Sequence, residues 1–267
     1  ARTARLFEHR AAVPHGRGSL AGSGFEVVEQ VELEIIDQRR ALLDRLPKNP
    51  ALAAVESDLL HLLSSWFNPG FLAMRRVDWN SPAQLLEQII HHEAVHEIDG
   101  WDDLRRRLRP DRRCFAFFHP QLPDEPLIFV EVALVPEMAG AIAPLIDKRA
   151  QPLPPEQFKV AVFYSISNCQ PGLRGVSLGN FLIKRVAEQL KRELPQVKTF
   201  CTLSPIPGFM AWLVKVKPDA LPEKAAQAHD ELHAACGEGF GALTHASRLV
   251  ALSGVAHHAL WRLAAHY

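Results

Sequence analysis

Four strand-like runs and one amphipathic helix fill the stretch from Arg113 to Ser204, and their order limits the fold more than any other feature of the chain. "RCFAFFHP" and "PLIFVEVALV" are rich in Phe, Val and Ile and are separated by the turn-rich "QLPDE", which predicts an antiparallel hairpin. "KVAVFYSIS" predicts a third strand. In "VSLGNFLIKRVAEQLKREL", Leu178, Phe181, Leu182, Val186 and Leu190 fall on one helical stripe. "VKTFCTLS" predicts a fourth strand after that helix. Helical patterns precede this block, so the order predicts an α/β fold: a mixed sheet with flanking helices.

The region before Gly70 reads as helical. "EVVEQVELEIIDQRRALLDRL" and "PALAAVESDLLHLLSSWF" carry apolar residues three and four apart, joined by the turn "LPKNP". Asn68-Pro69-Gly70 ends the second run, because Pro and Gly both disfavour continuation. An antiparallel helix pair is expected, and "HGRGSLAGSG" before it reads as a loop. "SPAQLLEQIIHHEAVHEI" predicts a helix with Ser81 as N-cap and Pro82 at its first position. "WDDLRRRLRP" predicts a short helix stopped by Pro110, and the chain from Gly208 to Tyr267 reads as mostly helical. The expected division is a helical domain over residues 1–72 and a second domain over residues 73–267.

Charge and cysteine usage narrow the function classes. The 267 residues include 30 basic and 30 acidic side chains, so the net charge gives no reason to expect nucleic acid or an anionic membrane as partner. No apolar run reaches membrane-spanning length. Cys114, Cys169, Cys201 and Cys236 form no C-x-x-C pair, which points to reduced thiols rather than a zinc ribbon or a disulfide scaffold. The basic start, "ARTARLFEHRAAVPHGRG", lacks the apolar centre of a secretory signal but has the Arg content of a mitochondrial transit remnant. A cytoplasmic location, or the mitochondrial matrix, is expected.

The junction "FYSISNCQPGLRGVSLGNFLIKR" is the candidate binding element. A strand ends near Ser167, a loop with Gly172, Arg174 and Gly175 comes next, and a helix begins close to Ser177 or Leu178. Small residues let backbone approach a ligand. The first N–H groups of a helix lack internal partners and favour an anion, and Arg174 adds a charged donor fork. On the loop alone, an ordinary turn with a solvated Arg174 is equally compatible. No Gly-Lys-Ser/Thr closes the loop, so it is not a Walker A motif, nor is it G-x-G-x-x-G. It resembles the acyl-CoA loop of acetyltransferase-like folds, Q/R-x-x-G-x-G/A, read here as Arg174-Gly175-Val176-Ser177-Leu178-Gly179, with Ser177 where that pattern has Gly.

Several ordered blocks carry a broader resemblance. "FYSIS", "GLRGVSLGNFLIKRV" and "LSPIPGFMAWL", with "WFNPGFLAMRRVDWNSPAQLLEQI", "EAVHEIDGWDDLRRRLRPDRRCFAFFHP" and "EPLIFVEVAL", resemble malonyl-CoA decarboxylase from Trp66 to Leu213. The resemblance implies an acetyltransferase-like catalytic domain, here lacking its C-terminal part, behind an incomplete helical domain that helps oligomerise the family. It implies that Arg174, Gly175, Val176, Ser177, Leu178, Gly179 and Asn180 bind the CoA part of malonyl-CoA or acetyl-CoA, and that Ser204 is catalytic. Ser165 and Ser167 end the preceding strand on one face, with Ile166 on the other, and Ser165 is a second catalytic candidate. In the family a histidine in a block reading roughly F-H-L-x-N-G partners the serine; that block does not occur before Tyr267. The family also commonly carries Glu where this chain has Ser177. No cofactor is implied, because the thioester is itself the electron sink, and a homo-oligomer through the N-terminal helices is expected.

The motif His92-Glu93-Ala94-Val95-His96 matches H-E-x-x-H, which on a helix would set two imidazoles on one face. Zinc needs a third ligand, and the chain runs on to Asp99-Gly100-Trp101 instead. The resembled family shares only Glu93 to His96. No metal site is expected, and His96 is read as a capping or packing residue. His257, His258 and His266 are read as structural histidines of a helical tail. Two other functions remain open on the sequence: an acyl-CoA N-acyltransferase of the same fold, and a CoA-responsive binding protein.

Overall fold

The computed structural model describes residues 23–237, 239–244, 249, 251–252 and 254–267. The basic stretch over residues 1–18 lies outside them, as does all of the expected glycine-rich loop but Ser23 and Gly24. The described residues up to Leu203 form one compact unit and those from Ser204 a second.

In the first unit, helices α1 (Ser23–Arg45) and α2 (Ala53–Trp66) precede strand β1 (Ala73–Val77). Helices α3 (Ala83–His92) and α4 (Gly100–Arg107) come next, then β2 (Arg112–His119), β3 (Leu122–Val135), the short α5 (Ala143–Ile146) and β4 (Val160–Asn168). Helix α6 (Gly179–Glu193) leads to β5 (Thr199–Thr202). The strands lie in the order β1-β2-β3-β4-β5, antiparallel except for the parallel pair β4/β5. A parallel pair needs a long crossover, and α6 supplies it. This is a mixed sheet with flanking helices, the α/β arrangement that the element order predicts.

Alternation along β3 assigns its two faces. Ile128, Val130, Val132 and Leu134 point into a core with Phe117, Phe163, Leu182, Val186 and Leu190, to which α1 and α2 add Ile36 and Leu63. Phe129 packs on the opposite face with Leu86, Ile89 and Leu104 of α3 and α4. The sheet is therefore covered on both faces, which is why β2 and β3 read as continuous apolar runs rather than alternating ones.

The structure differs from the sequence reading in four places. Strand β1 has no counterpart in the predicted strands: its "AMRRV" is an edge strand with Arg75 and Arg76 exposed. Strand β3 starts at Leu122 rather than Pro126, so most of "QLPDE" lies in the strand, with Leu122 opposite His119 and a register shift before Pro126, and the turn is tighter. The helix after Ser81 begins one residue later than expected, with Pro82 as N-cap, while Ser81 Oγ accepts from the Asp78 N–H at 3.0 Å. That helix also stops at His92 instead of running to Ile98.

The second unit comprises α7 (Phe209–Lys215), α8 (Glu223–Cys236) and α9 (Gly254–His266). Phe209, Leu213, Ala228, Leu232, Ala259 and Leu263 form its core. Tyr267 Oη donates to the Pro207 carbonyl at 2.9 Å and stands against Gly208, which has φ +81°. Among the described residues no helix is long and apolar enough to cross a membrane.

Phe117 is fully buried at the centre of the main core. Phe117→Ala should lower unfolding free energy by about 3–5 kcal/mol. A midpoint shift in urea titration measures it, and a loss below about 1 kcal/mol would contradict this placement of the core.

Candidate functional site: a glycine loop beside a splayed strand

Strand β4 is paired on both edges only in its first half. Val160 to Phe163 pair with Thr199 to Thr202 of β5, and the Leu203 N–H reaches the Phe163 carbonyl at 2.8 Å. Beyond Phe163, β4 runs on to Asn168 beside β3 alone. The register with β3 shifts at the same place: Glu131 faces Ser165, whereas Val132 faces Phe163, so Tyr164 is the extra residue of a bulge. The bulge reverses the faces of the residues beyond it. Val162 and Tyr164 share a small core, while Ser165 and Ser167 turn towards Glu93 and Ala94, and Ile166 packs on the main core. The expected pairing of Ser165 with Ser167 on one face is present.

These serines belong to a closed polar cluster. Ser165 Oγ lies 2.7 Å from each Glu93 carboxylate oxygen and 3.3 Å from Ser167 Oγ, which accepts from the Ala94 N–H at 3.2 Å. Glu93 Oε1 also accepts from the N–H groups of Val95 and His96 at 2.9 and 2.8 Å. That local capture of backbone competes with helix continuation, so α3 stops at His92. His92 and His96 therefore do not share a helix face, contrary to the reading of H-E-x-x-H as a helical pair. Among the described residues no group of three or more His, Cys, Asp or Glu side chains is placed to hold a metal ion.

Arg107 ties the cluster together. Its guanidinium reaches Asp103 at 3.0 Å, Glu131 at 3.0 Å, and the His96 and Glu97 carbonyls at 2.8 and 3.0 Å. Glu131 is fully buried and its carboxyl is pushed up to about 7 by desolvation, with Glu93 adding repulsion and Arg107 opposing both. Burial likewise raises the Tyr164 hydroxyl and the Cys114 and Cys169 thiols. Glu131 Oε1, Tyr164 Oη and His96 Nε2 are buried without a hydrogen-bond partner.

The loop after β4 is built on two glycines. A short 3-10 turn, Pro171–Leu173, is followed by Gly175 at φ +89°, a backbone setting that side-chain-bearing residues rarely adopt. A Cβ on Gly172 would lie 1.9 Å from the Ile36 carbonyl oxygen of α1. Helix α6 opens at Gly179 with Leu178 as N-cap, no side chain caps it, and its first bond outside the regular ladder runs from the Leu182 N–H to the Leu178 carbonyl at 3.3 Å. The N–H groups of Gly179, Asn180 and Phe181 therefore have no intrahelical acceptor. A Cβ at Gly179 would meet nothing within 4 Å.

The residues expected to bind substrate divide by exposure. Arg174, Gly175 and Ser177 are exposed and Val176 and Gly179 half-buried, whereas the Leu178 side chain is in the main core. Leu178 thus offers only backbone to a ligand. The side chain of Asn180 lies outside the described part of the structure. Ser204 is exposed and comes immediately after Leu203, opening the second unit. A separate cavity of about 750 Å³, lined by Val31, Glu32, Trp66, Phe71, His119 and neighbours, takes no residue from this loop.

A five-stranded mixed sheet in which β4 and β5 part after Phe163, with a glycine loop leading into a helix that no side chain caps, defines a mixed α/β domain. Sequence models of the malonyl-CoA decarboxylase N-terminal and C-terminal domains match residues 24–67 and 70–267, so the chain belongs to the malonyl-CoA decarboxylase family. It is 53% identical to the solved malonyl-CoA decarboxylase of Rhodopseudomonas palustris, with a TM-score of 0.66, over 74% of this chain and 49% of that one. Against the structure from Cupriavidus metallidurans the identity is 44% and the TM-score 0.69, over 87% of this chain and 57% of that one. The mitochondrial malonyl-CoA decarboxylase of Anser anser anser is 39% identical over 211 residues, which is 78% of this chain and 40% of that protein. The chain thus spans about half the length of the relatives it matches, or less.

This geometry sets two expectations. The Glu131 carboxyl holds its proton to a higher pH in the folded chain than in the unfolded one, so the folded state binds more protons between about pH 4.5 and 7. Unfolding free energy should fall as pH rises through that window, by up to about 3 kcal/mol, and Glu131→Gln should flatten the slope. Urea titrations at several pH values measure both, and a slope unchanged by the substitution would contradict the assignment. Gly172→Ala forces α1 and the loop apart and should cost about 1–3 kcal/mol in the same assay.

Proposed function

We propose that this chain carries the malonyl-CoA decarboxylase reaction, loss of CO2 from malonyl-CoA to give acetyl-CoA. The observation that carries the reading is the open start of α6 behind Gly175, in the stretch whose sequence resembles the family's CoA loop. In this reading a CoA diphosphate accepts from the free N–H groups of the first helical turn, with the Arg174 guanidinium at its rim. Gly179, where a Cβ would meet nothing within 4 Å, leaves room for the phosphates, while Val176 and Leu178 anchor the loop to the core. The solvent-facing Ser177 stands where the family commonly has Glu.

Decarboxylation of a malonyl thioester pushes an electron pair onto the thioester carbonyl as CO2 departs, leaving an enolate. Preorganised donors must meet that oxygen, and a general acid with a pKa near the working pH must then protonate the α-carbon. The half of β4 beyond Phe163 has no β5 neighbour, so its backbone edge is the proposed place for the thioester oxygen. Ser204 is the proposed catalytic serine, holding the malonyl carboxylate or a water rather than forming an acyl-enzyme. Pro205 and Pro207 stiffen its segment. Ser165, whose hydroxyl is spent on Glu93, is assigned to holding β4 in place. The proposed compartment is the cytosol or the mitochondrial matrix, and the proposed assembly a homo-oligomer through the N-terminal helices.

Ser204→Ala should lower kcat at least about 100-fold while KM for malonyl-CoA changes by no more than about threefold. Release of CO2 from malonyl-CoA without any amine acceptor would separate this reading from an N-acyltransferase. Undiminished turnover in Ser204→Ala, or an absolute need for an amine, would overturn it.

A further inference from the structure

The loop between β4 and α6 is anchored at its ends, by the Cys169 N–H donating to the Leu127 carbonyl at 2.9 Å and by Leu173 and Leu178 in the main core, but the backbone around Gly172 and Gly175 has few bonds of its own. Its internal backbone bonds are short-range only: Leu173 N–H to the Gln170 carbonyl, Arg174 N–H to Pro171, and Val176 N–H to Leu173, at 2.8, 3.1 and 3.0 Å. It contains two glycines, which lose the most conformational freedom on ordering. No side chain caps the helix that it feeds. The side-chain contact that reaches the Gly172 backbone comes from far away in sequence. Arg39 of α1 donates from one terminal nitrogen to the Gly172 carbonyl at 2.5 Å, and from the other to Glu56 of α2 at 2.7 Å.

The surroundings of this contact make it specific. Arg39 is 1% exposed, on the same helix face as Ile36, whose carbonyl occupies the space that the absent Gly172 side chain leaves. Leu60 of α2 and Arg39 itself back Gly175, at 3.6 and 3.9 Å from where its Cβ would be. The Arg39 Nε is buried without a partner, so its two terminal nitrogens make all of its bonds to the loop and α2. A lysine has one donor centre on a flexible stem and cannot span two acceptors in this fork geometry. A buried guanidinium without its acceptors is costly, so the contact is kept only while helix and loop are in register.

We infer that Arg39 is a positioning residue for the CoA loop: with Glu56 it pins Gly172 so that the loop amides are set before ligand arrives. This deepens the proposed function and rests on it. The N-terminal helices then set the affinity of a site to which they contribute no ligand contact. If freeing the loop leaves the binding geometry populated one time in ten, apparent affinity falls by the same factor.

The test uses the full chain with CoA as probe, comparing wild type, Arg39→Met, Arg39→Lys and Glu56→Gln. Hydrogen exchange reads the amides of residues 173–179 against those of β3, and calorimetry reads the CoA dissociation constant. In Arg39→Met, which keeps most of the packing volume, loop exchange should speed up about tenfold with β3 unchanged, and CoA binding should weaken about tenfold. Arg39→Lys should not rescue either value, and Glu56→Gln should move both in the same direction by about threefold. Unchanged loop exchange, unchanged CoA affinity, or an equal rise in β3 exchange in both Arg39→Met and Glu56→Gln would each overturn the inference. If wild type binds no CoA, the proposed function falls, and loop exchange alone decides whether Arg39 orders the segment.

Discussion

The parting of β4 from β5 after Phe163 is the constraint on which the rest of the site depends. A parallel pair held by few rungs ends at Thr202, and β4 continues with one neighbour instead of two. The bulge at Tyr164 adds twist where the second neighbour is lost. Downstream, the loop and α6 start from a strand end free of its partner. On the other branch, Ser204 comes directly after the last bonded residue, Leu203.

Holding a half-paired strand in place requires buried charge. Ser165 is tied to Glu93 and Ser167 to the Ala94 N–H, and Glu131 on the neighbouring strand is tied through Arg107 to Asp103 and the carbonyls of His96 and Glu97. Such clusters add little net stability, because desolvation offsets most of the Coulomb gain. Their effect is specificity of register: a slip of β4 by one residue would strand Glu93 without Ser165. A second device, Arg39 with Glu56, fixes the loop from the other face of the sheet.

Much of the fold was legible because burial here tracks apolar periodicity. Of the stripe read on α6, Leu178, Leu182, Val186 and Leu190 are buried whereas Phe181 is exposed, and the Phe- and Val-rich strands are buried as read. Strand β1 escaped because an edge strand needs few apolar residues, and "AMRRV" looks like any solvated segment. The buried face of α1 carries Glu32, Ile36 and Arg39, two of them charged, so periodicity counts them as exposed. The helical reading of His92 to His96 failed for a local reason: Glu93 bends back onto the next N–H groups, a choice that competes with helix and that no apolar count registers. Within the loop, the glycines marked its position. The partner that shapes it lies more than a hundred residues earlier, at Arg39, beyond the reach of any local pattern.

The central claim is that a CoA diphosphate sits at the start of α6. A crystal structure with bound acetyl-CoA tests it most directly. The account expects phosphate oxygens within hydrogen-bond distance of backbone N–H groups between Ser177 and Phe181, and the thioester oxygen beside the unpaired edge of β4 after Phe163. Phosphates seated anywhere else, with those N–H groups facing only water, would contradict it.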